Sequence, residues 1–372
     1  MIRKSDVQWW VLEANQHPEA APEIIEQLAQ RLSELDAENE RLRDEIIQLQ
    51  RHAPAAAEGP ELEALRRRVT TLQRRLEEEA STEPAVVFLS DRLEAARMPL
   101  PQAQRLARED RPALGSQALL GRSCLMLLAR PRDELLLLTS HGRGLKVLPP
   151  DIPTLAEGGD WTVIGGPSLA EGERATAAVA VAEPPRFWTV VTRRGFVRQF
   201  IRVGLDQRLA RGDSIVESPC YNDVPVAIVD GDQGDLLLLT RWGQGVRFPQ
   251  RSIAAQGLVA LELDPDDAVV AALPLPADVP ILIVTASGFA ARWDTARFAA
   301  RSRPGGAGKS LIQAYDVLGV FPCEPESHLL YLTYSGKLVA VSVADVPLHQ
   351  RSRKGSRVRV FDRDPAVAVM AI

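Results

Sequence analysis

Cysteine is scarce in this chain. Among 372 residues there are three, Cys124, Cys220 and Cys323, about 100 positions apart. That spacing supplies neither the paired ligands of a zinc site nor a disulfide framework. It suits unpaired thiols in a reducing compartment, so a cytoplasmic location is expected. Long apolar runs are missing as well. No segment approaches the roughly 20 residues that span a bilayer, so no membrane association is expected. The opening MIRKSDVQWW lacks the sustained apolar stretch of a secretory signal. The five histidines (17, 52, 141, 328 and 349) are scattered without metal-ligand spacing, and neither a metal nor another cofactor is expected. Lysine supplies only five of the 44 basic residues. The rest are arginine, whose planar fork of donors suits phosphate contacts.

What is present is a repeat. The stretch Leu236 to Arg247, LLLLTRWGQGVR, is an apolar run ending in Thr240, two residues, Gly243, and a second extended run closing on Arg247. The same frame recurs with Thr139, Gly142 and Lys146; with Thr192, Gly195 and Arg198; with Thr285, Gly288 and Arg292; and with Thr333 and Gly336. Successive threonines are 53, 48, 45 and 48 residues apart. A period of that size marks a propeller-like array. The apolar run reads as a buried strand, and glycine after two residues reads as a tight hairpin needing positive φ. Each hairpin is followed by a long arm, an acidic or proline turn and a further hydrophobic run, about four strands per unit. The expected fold is mainly β, a five- to six-bladed propeller or pinwheel over 115–372. SCLMLLA at 123–129 and the terminal VAVMAI are candidate strands for completing the ring.

Ahead of the repeats lies a different periodicity. Ile25, Leu32, Asn39 and Ile46 fall at heptad position a, and Leu28, Leu35, Leu42 and Leu49 at d. This seam predicts a left-handed parallel coiled-coil dimer in which Asn39 fixes register. Pro54, Gly59 and Pro60 break the helix at 52–60, and a second run, Leu62, Leu65, Val69, Leu72 and Leu76, follows out of phase. The expected organisation is therefore an N-terminal segment 1–23 with an exposed Trp9-Trp10 pair, a two-part coiled coil 24–80, a connector 81–114 in which AVVFLSDRLEAAR reads as a short helix, and the β-domain. Charge divides the same way. Residues 1–114 carry 16 basic and 22 acidic residues; the remainder carries 28 and 27.

From about 120 to 372 the chain resembles the C-terminal domain shared by the A subunits of DNA gyrase and of topoisomerase IV. The shared pattern is the apolar run, Thr-x-x-Gly, a basic residue, a basic and glycine-bearing arm, and an acidic turn before an apolar strand. LAEGERATAAVAV at 169–181 and IPTLAEGGDW at 152–161 look similar to that family's first-to-second blade connection. The resemblance implies a β-pinwheel that bends duplex DNA around a basic rim formed by the arms. The residues so implicated are Arg198, Arg208, Arg211, Arg247, Arg251, Arg301, Arg303, Lys309, Arg351, Arg353, Lys354, Arg357 and Arg359. Binding of this kind releases counterions and depends steeply on salt. No full Gln-Arg-Arg-Gly-Gly-Lys-Gly box is present, and Asp160 stands in the first long arm.

Catalysis is not expected. The family's breakage-reunion core uses a tyrosine that follows arginine. Tyr221, Tyr315, Tyr331 and Tyr334 follow Cys, Ala, Leu and Thr. GGAGKS at 305–310 has Arg303 where a phosphate-binding loop needs its first glycine. The paired acids Asp266 and Asp267 read as solvated turn charges. The implied role is non-catalytic DNA binding by a dimer of pinwheels. A protein-interaction scaffold, or an accessory regulator of a topoisomerase, remains open on the same residues.

Overall fold

A computed structural model describes residues 83–372 apart from 116–118, 120–122, 156–160, 165–167, 217, 221, 233, 276–278, 324–326, 345, 350–353 and 362, together with scattered helical positions between 22 and 41. The chain divides into two compact units, Met1–Glu77 and Glu78–Ile372. In the first, the described helical residues Pro22, Glu26, Ala29, Gln30, Ser33, Ala37 and Arg41 are all exposed, and none falls at a or d of the heptad. The seam residues Ile25, Leu28, Leu32, Leu35, Asn39, Leu42, Ile46 and Leu49 lie outside the described residues, as do Trp9-Trp10 and the second heptad run.

The second unit repeats one plan six times: a hairpin, an arm, and a strand that returns. The first repeat is β1 (Ala85–Ser90), β2 (Glu94–Pro99), helix α1 (Leu100–Arg108) and β3 (Cys124–Ala129). The second is β4 (Glu134–Thr139), β5 (Gly144–Val147), β6 (Thr162–Val163) and β7 (Ala175–Val181). The third is β8 (Phe187–Thr192), β9 (Phe196–Ile201), helix α2 (Arg202–Arg211) and β10 (Pro225–Asp230). The fourth is β11 (Asp235–Thr240), β12 (Gln244–Pro249), β13 (Leu258–Val259) and β14 (Val269–Leu275). The fifth is β15 (Ile281–Thr285), β16 (Phe289–Trp293), β17 (Lys309–Ser310) and β18 (Val317–Pro322). The sixth is β19 (His328–Thr333), β20 (Leu338–Ser342), β21 (Leu348–His349), β22 (Ser356–Arg357) and β23 (Ala366–Ala371).

The first repeat corrects the reading of 81–114 as a connector containing a short helix. AVVFLSDRLEAAR is the β1–β2 hairpin. Ser90 stands where the other repeats have threonine, and Leu93 stands in the glycine position with φ 60°. Two substitutions at the two signature positions hid the repeat.

Pairing follows one rule throughout. The returning strand pairs with the first strand of its own hairpin: β3 with β1, β7 with β4, β10 with β8, β14 with β11, β18 with β15 and β23 with β19. The short strand in the arm crosses to the second strand of the preceding hairpin, β6 to β2, β13 to β9, β17 to β12 and β22 to β16. The result is a set of small antiparallel sheets, each stitched by the next repeat's arm. The returning strands contact one another in the series β3, β7, β10, β14, β18, β23, and β23 contacts β3. One apolar cluster joins Val86, Phe88 and Met98 of the first repeat to Leu330, Leu332 and Met370 of the sixth.

The signature residues explain the stitching. In every repeat the Thr (or Ser90) hydroxyl is buried and accepts the amide of the residue four positions on, at 3.0 to 3.2 Å. The five signature glycines have φ between 75° and 84°. Their carbonyls accept amides from the crossing arm: Ala260 on Gly195, Leu311 on Gly243, Val358 on Gly288, Ile215 on Gly142 and Ala113 on Gly336. A Cβ at Gly195 would press on the Leu261 carbonyl at 2.8 Å, and one at Gly336 on the Leu114 carbonyl at 2.5 Å. Glycine is therefore required twice over, by backbone conformation and by close approach.

The acidic turns are the complementary clamp. Asp223, Asp267, Asp316 and Asp364 each accept a backbone amide from between the Thr and Gly of their own repeat, those of Arg194, Trp242, Ser287 and Ser335. Asp267 is thus 3% exposed and also accepts the Ala268 amide, which corrects its reading as a solvated charge. The second repeat is clamped differently: the Ser140 amide donates to the Arg174 carbonyl, while Glu173 accepts the Thr139 hydroxyl and the Arg143 guanidinium. Chiefly because of the Arg143 hydrogen bond, with Thr139 and the Ala170 amide adding to it against burial, its carboxyl is held down to about 2. Among the described residues no helix is long and apolar enough to cross a membrane.

Candidate nucleic-acid interface

In four repeats a short strand of the arm pairs with the second strand of the sheet before it, so the described charges beside those strands lie along that sheet edge. Their balance differs sharply between repeats. The arm at 148–164 holds Asp151, Glu157 and Asp160 and no basic residue. The arm at 294–312 holds Arg297, Arg301, Arg303 and Lys309 against Asp294 alone. The arm at 343–360 holds five basic residues, Arg351, Arg353, Lys354, Arg357 and Arg359, against Asp345. These last two stitch the fourth and fifth sheets, which are neighbours through β14 and β18. Basic residues are therefore concentrated on two arms that stitch neighbouring sheets.

Within those arms the side chains differ in what they are free to do. Lys354 and Arg357 are exposed and stand 4.7 and 5.1 Å from the centre of the Phe289 ring, which steadies both cations without neutralising them. Lys309 is exposed at 5.8 Å from the Phe298 ring. Arg303 is exposed at the apex of its arm. Arg301 is exposed, but its guanidinium bonds the carbonyls of Gly305 and Ala307, so it shapes its own loop. Arg359 pairs with Asp110 at 2.8 Å. Arg351 and Arg353 lie outside the described residues.

The other sequence candidates are more committed to the fold. Arg247 is 15% exposed; it pairs with Asp235 at 2.7 Å and donates to the carbonyls of Thr295 and Phe298 at 2.7 and 3.2 Å. It ties its hairpin to the next arm. Arg198 and Arg208 both stand over Phe200, at 4.9 and 5.9 Å, and donate to the carbonyls of Ala255 and Ser214. Arg211 and Arg251 are exposed, Arg211 in the last turn of α2. Arg251 borders a cleft of about 360 Å³ lined also by Asp232, Gly234, Asp235, Pro249 and Gln250. Sequence reasoning missed Arg105 and Arg108, exposed in the last turn of α1 against β20. Recognising the first repeat would have made α1 an arm and drawn attention to them.

Among the described residues no group of His, Cys, Asp or Glu could hold a metal ion. Burial pushes the Cys124 thiol up to about 12, far from a nucleophile's range.

Comparisons with known proteins agree on the fold. No protein-family model matches the chain. The chain is 28% identical over 262 residues to the DNA gyrase A subunit of Haloquadratum walsbyi, covering 65% of this chain and 30% of that protein. It is 24% identical over 319 residues to the DNA gyrase A subunit of Chlamydia trachomatis, covering 80% of this chain and 37% of that protein. The chain thus spans about a third of the length of these curated relatives. Among solved structures, a DNA gyrase A C-terminal domain superposes with a TM-score of 0.63 at 16% identity, covering 78% of this chain and 100% of that one. The C-terminal domain of a DNA topoisomerase IV gives 0.53 at 17% identity, over 78% and 94%. The fold is that of these non-catalytic C-terminal domains and not of a breakage-reunion core.

Proposed function

We propose that this chain is a non-catalytic DNA-binding protein, in which a closed pinwheel of six blades carries duplex DNA on the basic stretch of its rim. The observation that carries the proposal is the adjacency of two strongly basic arms, with Arg303, Lys309, Lys354 and Arg357 exposed on neighbouring edges while the arm at 148–164 is acidic. The likeness to the DNA gyrase A protein supports the same ligand. Ring closure is supported by the contact of β23 with β3 and by Ala113 and Leu114 donating to Gly336 of the sixth repeat. A one-sided patch holds a shorter arc of duplex than a rim basic all round, so the DNA is bent more than it is wrapped. The coiled coil over 24–80 joins two such rings through Ile25, Leu28, Leu32, Leu35, Asn39, Leu42, Ile46 and Leu49. Two linked sites on one DNA gain avidity when both can reach it.

A gel shift on linear duplex across a salt series tests the reading. Binding is expected at low salt, weakening steeply as salt rises. Alanine at Arg351, Arg353, Lys354, Arg357 and Arg359 together should abolish most of it. No shift at low salt, or an undiminished shift in the variant, would sink the proposal. The likeness to DNA gyrase A subunits also admits a second role, in which the chain competes with a topoisomerase for DNA. Addition of the protein to a gyrase supercoiling reaction should then slow it.

A further inference from the structure

The threonine and glycine of each hairpin carry the turn, which leaves the two residues between them free to vary. They are Asp91-Arg92, Ser140-His141, Arg193-Arg194, Arg241-Trp242, Ala286-Ser287 and Tyr334-Ser335. In the third and fourth repeats they are basic and aromatic, and hydrogen bonds draw them onto one surface. Arg194 donates Nη1 to the Pro265 carbonyl at 3.0 Å, and Arg241 donates Nη2 to the Asp266 carbonyl at 2.6 Å. The Trp242 amide is held by Asp267 at 3.1 Å. The Trp242 ring meets Tyr315 edge to face, centroids 5.7 Å apart and planes at 78°. Tyr315 is 76% exposed, the highest value among the described large apolar or aromatic residues that reach the surface. The pair stands at the end of the basic 294–312 arm, because Leu311 of that arm donates to Gly243, the residue after Trp242.

We propose that Trp242 and Tyr315 form a stacking site for an unpaired nucleobase, with Arg194 and Arg241 taking its flanking phosphates. The proposal rests on the duplex-binding reading above and adds a preference for DNA that is locally melted. Stacking on an aromatic ring is tolerant of base identity, because every base has a π-face. The rings are already braced against each other, so little side-chain freedom is lost on binding. Each arginine is anchored by one nitrogen, which orients the fork and leaves other N–H donors for phosphate. Glu262, Asp264 and Asp266 are exposed on the neighbouring turn. Their charge opposes a duplex lying across this surface and limits the contact to a nucleotide or two.

The test compares a fluorescent duplex with the same duplex carrying a central unpaired bubble, by anisotropy, on the full chain. The bubble should bind about tenfold more tightly, within the range that stacking supplies. Trp242→Ala and Tyr315→Ala should each erase the preference while leaving duplex affinity unchanged, and Trp242→Phe should keep it. Thermal melting of Tyr315→Ala at the native temperature verifies its fold. Equal affinity of the native protein for both DNAs, or an undiminished preference in Tyr315→Ala, would overturn the stacking site alone. Failure to bind either DNA would overturn the duplex reading with it.

Discussion

The residue that most clearly separates conformation from contact is the hairpin glycine. Gly243 has φ 75°, and a Cβ there would overlap the Ile312 carbonyl of the crossing arm. Gly172 also has φ 75°, but nothing lies within 4 Å of where its Cβ would be. Alanine at Gly172 therefore bears only the left-handed backbone cost, about 1–2 kcal/mol. Alanine at Gly243 adds a steric conflict and should lose roughly 3 kcal/mol or more, which thermal or urea unfolding of the two variants will separate. Glu173 gives a pH signature. Its carboxyl titrates well below its unfolded value, so the stability it contributes is full above about pH 4.5 and is lost as pH falls toward 2. Glu173→Gln should lower stability near neutrality by on the order of 2 kcal/mol and flatten that acid limb. An unchanged acid limb would mean the clamp is weaker than its geometry indicates.

At the scale of the element, the arm-facing basic residues divide into those that hold neighbouring sheets together and those that offer charge. Arg247 belongs to the first kind. Arg247→Ala removes an ion pair and two hydrogen bonds to carbonyls and should cost about 2 kcal/mol of stability, with little effect on DNA affinity once the protein is folded. Lys354 and Arg357 belong to the second kind. Their replacement should leave unfolding nearly unchanged and lower the magnitude of the salt slope of binding by about one for each phosphate no longer neutralised. The sequence makes this division only in part. Thr-x-x-Gly is legible because turn and burial constrain both positions in the same way in five repeats. The first repeat is not, because Leu93 adopts the left-handed turn conformation while its side chain is buried at 2% exposure, so packing retains a residue that the turn alone would not select. The structural roles of Asp267 and Arg247 are hidden from the sequence for a shared reason. Asp267 accepts backbone amides of Trp242 and Ala268, and Arg247 reaches two carbonyls of the crossing arm besides Asp235; partners that are backbone groups leave no mark in sequence spacing.

At the scale of the whole molecule, the small antiparallel sheets are proposed to close into a ring and the coil to pair two such rings. The coil is a matter of periodicity, and its seam predicts a dimer that Asn39 holds in register. Sedimentation of the full chain should show a dimer, and replacing Leu35 and Leu42 with aspartate should give monomers whose individual sites keep their intrinsic affinity but lose avidity on long DNA. The proposed DNA binding rests on where the charge of the β-unit lies. The most direct measurement is duplex affinity, by anisotropy at low salt, for two charge-matched variants. One removes Lys354 and Arg357 from the rim; the other removes Arg130 and Arg186, exposed in the loops that join one repeat to the next. A rim-bound duplex predicts a loss of at least several-fold for the first and nearly native binding for the second. Equal losses in both would show that net charge alone, and not the basic stretch of rim, governs binding.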